Sequence, residues 1–242
     1  MSKIETLGLF DGRYWPSTAE IGFLEIDPGV AADFYAKWQQ RLQAERGGSA
    51  VLTERSTESG FSGALESLLP LTSVERRRII FVPTSSQWCA YLDNGWQGSD
   101  AFSVVSYLSR QLSCRGVKFR YQPHTAEKSA DGWVGIFGAT ILEIYGPERT
   151  EWLNTVRSIF TSFDMGKWHF GAQGAIQNFE DVGHYVRRNI ASRFNLEILD
   201  DYLNNLDINA FDEHFYVPDN AFFHVEKTGP MNPDVKNYTF DL

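Results

Sequence analysis

The sequence is poor in cysteine, in unbroken apolar runs and, over one long stretch, in positive charge. Two cysteines, Cys89 and Cys114, among 242 residues make no disulfide framework and point to a reducing compartment. No run approaches the ~20 consecutive apolar residues of a membrane helix. Met1–Phe10 carries Lys3 and Glu5 and lacks the ~7–15-residue apolar stretch of a secretory signal. These absences predict a soluble, cytoplasmic protein with no membrane partner. A net charge of −9 argues against nucleic acid as a partner.

Compact catalytic signatures are missing too. Ser59-Gly60-Phe61-Ser62-Gly63 lacks the spacing of a nucleophile elbow, and no strand is followed by a dinucleotide-type glycine fingerprint. His124, His169, His184, His214 and His224 are scattered without metal-ligand spacing. Asp212-Glu213-His214, with His224 and Glu226 further on, is the densest such grouping. No metal site and no cofactor are predicted. Cys89 in a strand and Cys114 at a helix end read as small buried hydrophobes rather than nucleophiles.

What is present is a core. Hydrophobic residues make up 43% of the chain and aromatic residues 14%, which excludes wholesale disorder. Glu20–Ile26 has strand character. Asp27-Pro28 then reads as an N-cap and first helical residue, followed by Val30, Phe34, Trp38 and Leu42 at helical spacing up to Gly47-Gly48. Phe61–Leu69 suggests a short helix. Arg77–Val82 and Gln87–Leu92 flank a four-residue turn and predict a hairpin. Phe102, Val105, Leu108 and Leu112 mark a helix capped by Ser99 or Asp100. Val117–Gln122 and Trp133–Tyr145 read as strands, and Arg157–Phe163 with Trp168–Phe179 as a second hairpin. Val182, Tyr185, Val186, Ile190 and Phe194 predict one further helix, and Leu196, Leu199, Tyr202, Leu203 and Leu206 another.

Helices separated by hairpins predict an α+β fold: a largely antiparallel (mixed) sheet with flanking helices and a C-terminal helical hairpin. Residues 1–230 form one predicted domain, with a sub-boundary near 146–150. Residues 231–242 are predicted to be a C-terminal tail, extended or partly mobile.

The missing positive charge is the main functional clue. Between Arg193 and Lys227 there is no Lys or Arg, while Glu197, Asp200, Asp201, Asp207, Asp212, Glu213, Asp219 and Glu226 fall there. Removing those eight from the 31 acids leaves 23 against 22 bases, so one segment carries nearly all the net charge. Glu197, Asp200, Asp201 and Asn204 share one face of the predicted helix, opposite its leucines. Either the preceding Arg187, Arg188 and Arg193 neutralise this face, or it is simply solvated, or it faces a cationic partner.

A second clue is Asp93-Asn94-Gly95-Trp96-Gln97-Gly98-Ser99-Asp100. It resembles an anion-binding loop at a helix start but lacks the Lys and spacing of a phosphate loop. Asp93 and Asp100 would also repel a phosphate, so a capped strand-to-helix turn is the better explanation. Asp and Gly recur just ahead of Trp15, Trp96, Trp133 and Trp168. Turn chemistry accounts for this, while exposed tryptophans would serve an interface or a sugar platform.

The resulting expectation is a non-enzymatic binding protein. Glu197, Asp200, Asp201, Asp207, Asp212 and Glu213, with Trp96, would engage a basic protein, as an immunity-type inhibitor of a bacterial toxin would. The alternative is an enzyme with a dispersed site near Asp93–Asp100 or Asp212–His214. Composition leaves the oligomeric state open.

Overall fold

A computed structural model describes residues 8–130, 132–218, 221–230 and 232–240. Among the described residues thirteen strands occur in this order: β1 Glu20–Leu24, β2 Ser49–Arg55, β3 Leu71–Thr72, β4 Arg78–Pro83, β5 Cys89–Asp93, β6 Gly116–Gln122, β7 Glu127–Ser129, β8 Gly132–Val134, β9 Ala139–Tyr145, β10 Thr155–Asp164, β11 Lys167–Gly174, β12 Phe222–Thr228 and β13 Asn237–Tyr238. Four α-helices join them among the described residues: α1 Pro28–Ala44, α2 Gly60–Glu66, α3 Ala101–Gln111 and α4 Leu196–Asn204. Nine strands form one sheet in the order β11-β10-β9-β6-β1-β5-β4-β12-β2, and each of its pairings is antiparallel.

The two-residue side-chain period of the strands divides the core in two. Leu24, Ile79, Phe81, Cys89, Tyr91, Tyr145 and Val225 pack toward α1 and α3. Their neighbours Ile21, Phe23, Ile80, Val82, Ala90, Leu92, Val117, Phe119 and Leu142 pack on the opposite face against α2, α4 and Phe194, Leu206, Ile208, Phe215 and Tyr216. Central β1 and β5 are buried on both faces.

α1 starts as predicted: the Asp27 carboxylate accepts the Gly29 and Val30 N–H groups at 2.9 and 3.1 Å. α3 sits unusually close to the sheet. A Cβ on Gly22 would meet Val105 Cγ2 at 2.4 Å, and one on Gly116 would meet Val105 Cγ1 at 2.7 Å. The bare backbones of β1 and β6 therefore form the seat of the helix.

The hairpins β4–β5 and β10–β11 form, although β11 stops at Gly174 and not at the expected Phe179. The predicted strand Trp133–Tyr145 is interrupted: β8 pairs with β7, and β9 starts only at Ala139, past Gly135 at φ 105°. β9 and β10 are neighbours in the sheet, so the connection at 146–154 joins adjacent strands. Asn154 fixes it, donating to Ser106 O, Ser109 Oγ and Gly146 O at 3.0, 2.9 and 2.7 Å. In the C-terminal stretch β13 pairs with β3, and Tyr238 stacks on Trp96 at 4.6 Å; Met231 and residues 241–242 lie outside the described residues.

The C-terminal helical hairpin is not found. Its expected first arm is two 3-10 turns, Val182–Val186 and Ile190–Ser192, and α4 is the one α-helix there among the described residues. Asp181 and Asn189 each accept an N–H and begin a separate turn, while Arg187 between them is extended at ψ 143°. Val182 and Val186 are exposed, so their helical spacing is no buried stripe.

Candidate functional site

α4 is built as an amphipathic helix. Asn195 Oδ1 accepts the Ile198 N–H at 3.2 Å, and Ile198, Leu199, Tyr202 and Leu203 are buried against the sheet. The opposite face carries Glu197 and Asp201, both exposed, and half-buried Asp200. Among the described residues none of the three carboxylates is in an ion pair. Arg193 Nε donates to Arg187 O and Arg187 Nη1 to Ser192 O, so these guanidiniums fold the 187–193 loop. Burial, together with the neighbouring Asp201 charge, holds the Asp200 carboxyl above its ordinary pKa, although the Asn204 side chain donates to it at 3.1 Å.

Past the helix, Asp207 takes φ 59° and ends it, and the Ile208 N–H returns to Leu203 O at 2.9 Å. Asp207 lies in the field of Arg115, whose guanidinium bonds Glu25. Asp212 caps a short turn by accepting the His214 N–H at 2.9 Å. Glu213 is bound by Arg13 at 2.5 Å, and Glu226, out on β12, by its cross-strand partner Arg78 at 3.2 Å. Asp219 lies outside the described residues. The acidic strip thus centres on Glu197, Asp200 and Asp201, with Asp207 and Asp212 following. The Asp212–His214 group does not converge on a site: one carboxylate is a cap, the other is paired, and the His214 side chain is exposed.

Trp96 belongs elsewhere. The 93–100 loop is organised around Asp93, fully buried, which accepts Tyr91 Oη–H, Gly95 N–H and Asp100 N–H at 2.9, 2.9 and 2.8 Å. Burial keeps the Asp93 proton affinity above normal despite Arg76, whose Nε is 3.8 Å away. Gly95 must lack a side chain, since a Cβ would meet Gly98 O at 2.6 Å. Trp96, Gln97 and Asp100 open with Trp15, Glu20, Arg76 and Arg120 onto a polar crevice of about 520 Å³.

Beneath this crevice is an ion network that no motif in the sequence announces. Lys118 Nζ lies 3.0 Å from Glu143 and 3.6 Å from Glu20, and Arg120 Nη1 lies 3.4 Å from Glu20. Tyr145 Oη–H donates to Glu143 at 2.7 Å. Arg120 is the cross-strand partner of Glu20 and Glu143 that of Lys118, so the four charges share one face of β1, β6 and β9. Burial raises the Glu20 pKa in spite of the two cations. The available signal was Lys118 and Arg120 at alternate positions of an otherwise apolar strand, which places both charges on one face.

Among the described residues no group of three or more His, Cys, Asp or Glu side chains is placed to hold a metal ion, and no helix is long and apolar enough to cross a membrane. No family model, curated protein or solved structure gives a significant match to the chain.

Proposed function

We propose that this is a non-enzymatic cytoplasmic binding protein that docks a basic protein through α4 and the loop after it, as an immunity-type inhibitor occludes a cationic toxin. The observation that supports it is Glu197, Asp200 and Asp201 on one helix face above a well-packed core, with no ion pair to any of the three among the described residues. Like charges on adjacent turns repel, and a cationic partner relieves that repulsion while the field speeds encounter. Asp207 and Asp212 extend the strip. Glu213 contributes less because Arg13 already holds it, and Trp96 takes no part because it lines the crevice.

The test is capture of the products of neighbouring genes, followed by calorimetry of any captured protein at low and high salt. The expectation is a basic partner whose affinity falls at least about tenfold in a D200N/D201N/D207N variant and with rising salt. Unchanged affinity in that variant rejects the docking surface.

A second reading, an enzyme with its site at the crevice, draws support from Glu20: a carboxyl with raised proton affinity opening onto a polar cavity suits general acid–base work. Thermal-shift measurements against pooled metabolites test it. Stabilisation of the native protein that is lost in Glu20→Gln supports this reading, and no shift with any pool rejects it.

A further inference from the structure

A separate cavity of about 310 Å³ opens at the start of α4, where β6 ends and β9 and β11 begin. Glu197 stands at this cavity and also begins the acidic strip. Its other walls include Tyr121, His124, Thr140, Trp168 and Leu196. The volume is at the low end for ligand pockets, which suits one long side chain better than a cofactor.

The chemistry of the lining is specific. Trp168 and His124 are held in place: the His124 ring lies 4.3 Å from Phe163 and 5.1 Å from Trp168, and Phe163 lies 5.6 Å from Trp168. His124 Nδ1 accepts the Gly138 N–H at 3.1 Å. That nitrogen therefore carries no proton, and the ring is a neutral aromatic wall that does not repel a cation. Burial also lowers the His124 pKa. Thr140, at the cavity, is paired across the sheet with Thr161, whose buried hydroxyl has no hydrogen-bond partner among the described residues. Aromatic walls with one unpaired carboxylate match a cation on an apolar stem. Between the two such side chains, the planar guanidinium stacks on an indole and engages a carboxylate with two parallel N–H groups, whereas an ammonium does neither.

We propose that this cavity receives an arginine side chain of the protein partner, stacked against Trp168 and paired with Glu197. The inference rests on the acidic-face reading and adds to it an anchor residue and the side chain that fills it. In this division of labour the strip from Asp200 to Asp212 supplies long-range attraction, and the cavity supplies selectivity for Arg over Lys.

The probe is an alternating arginine–glycine decapeptide. It is compared with the lysine–glycine and citrulline–glycine peptides of the same length, titrated into the full chain and followed by the Trp168 indole N–H resonance, which Trp168→Phe assigns. The arginine peptide is expected to shift that resonance and to bind about tenfold tighter than the lysine peptide. The citrulline peptide, which keeps the shape without the charge, is expected to show no saturable binding. Glu197→Gln, a surface change that spares the core, is expected to remove most of the preference for arginine, and Trp168→Leu to remove the rest. Equal binding of arginine and lysine peptides, or an unaltered preference in Glu197→Gln, overturns the anchor. If D200N/D201N/D207N still weakens the protein partner in that case, the acidic face survives without the anchor. If neither set of changes weakens that partner, both fall.

Discussion

Arg157 and Glu180 form a two-pronged ion pair, Nε to Oε1 at 2.9 Å and Nη2 to Oε2 at 2.7 Å, with both side chains almost completely buried. Glu180 also accepts Tyr185 Oη–H at 2.6 Å and Gln177 N–H at 2.9 Å, and Arg157 donates to Gly174 O at 3.1 Å. Every lone pair in the arrangement has work, so the pair ties the loop after β11 to β10. Removing one member leaves a buried charge uncompensated. Glu180→Leu is expected to cost about 3–5 kcal/mol in urea denaturation, and Arg157→Met with Glu180→Leu distinctly less. A single-variant cost below about 1 kcal/mol contradicts this.

Stability is expected to rise with pH through the mildly acidic range because of His224. Burial, reinforced by Arg55 and Arg78 and opposed by Glu226 and the Ser67 carbonyl, pushes its pKa down to about 4 from 6.5. Between those values the unfolded chain takes up a proton that the native ring refuses. Stability from this group is therefore complete above about pH 6.5 and is lost as pH falls toward 4. His224→Gln is expected to flatten that slope, whatever it does to absolute stability. Denaturant midpoints at several pH values give the slope, and an unchanged one rules this residue out as its source.

Asp201→Asn is expected to stabilise the protein. Asp201 is one turn from Glu197 and next to Asp200, in the C-terminal half of α4, where negative charge is unfavourable. The gain is a few tenths of a kcal/mol at low ionic strength and disappears in about 1 M salt. A loss of stability, or a gain that salt leaves intact, shows that Asp201 has an intramolecular role.

Both thiols are expected to be inert in the native state near neutral pH. Burial drives the Cys89 pKa far up. It raises that of half-buried Cys114 to about 11, with help from the Glu25 charge. Reaction with a chromogenic disulfide should be slow until urea is added, and then both should react. One fast equivalent from the folded protein contradicts this.

The elements written most clearly in the sequence are those whose local code agrees with their burial. Asp27-Pro28 announces α1, and the four-residue turn after β4 announces a hairpin. Val182–Phe194 misleads because Asp181 and Asn189 restart the chain twice within an apparent helical stripe, and apolar spacing alone does not report side-chain capping. The acidic strip was legible because the leucines of α4 fix its orientation. The pairing of Glu213 with Arg13 was not, since those residues lie 200 positions apart. Nor were the Glu20–Lys118–Glu143 network and the Trp168–Glu197 cavity, which exist only once β1, β6, β9 and β11 are brought into register.

The position of β12 has a consequence for how the molecule comes into being. It lies between β4 and β2, two strands made much earlier, and bonds to both. Until it is synthesised, those two present bare edges to the crowded cell, each open to a stranger's backbone. Final closure of the sheet therefore waits on a distant segment, and the nascent chain passes through an interval in which a chaperone has the most to protect.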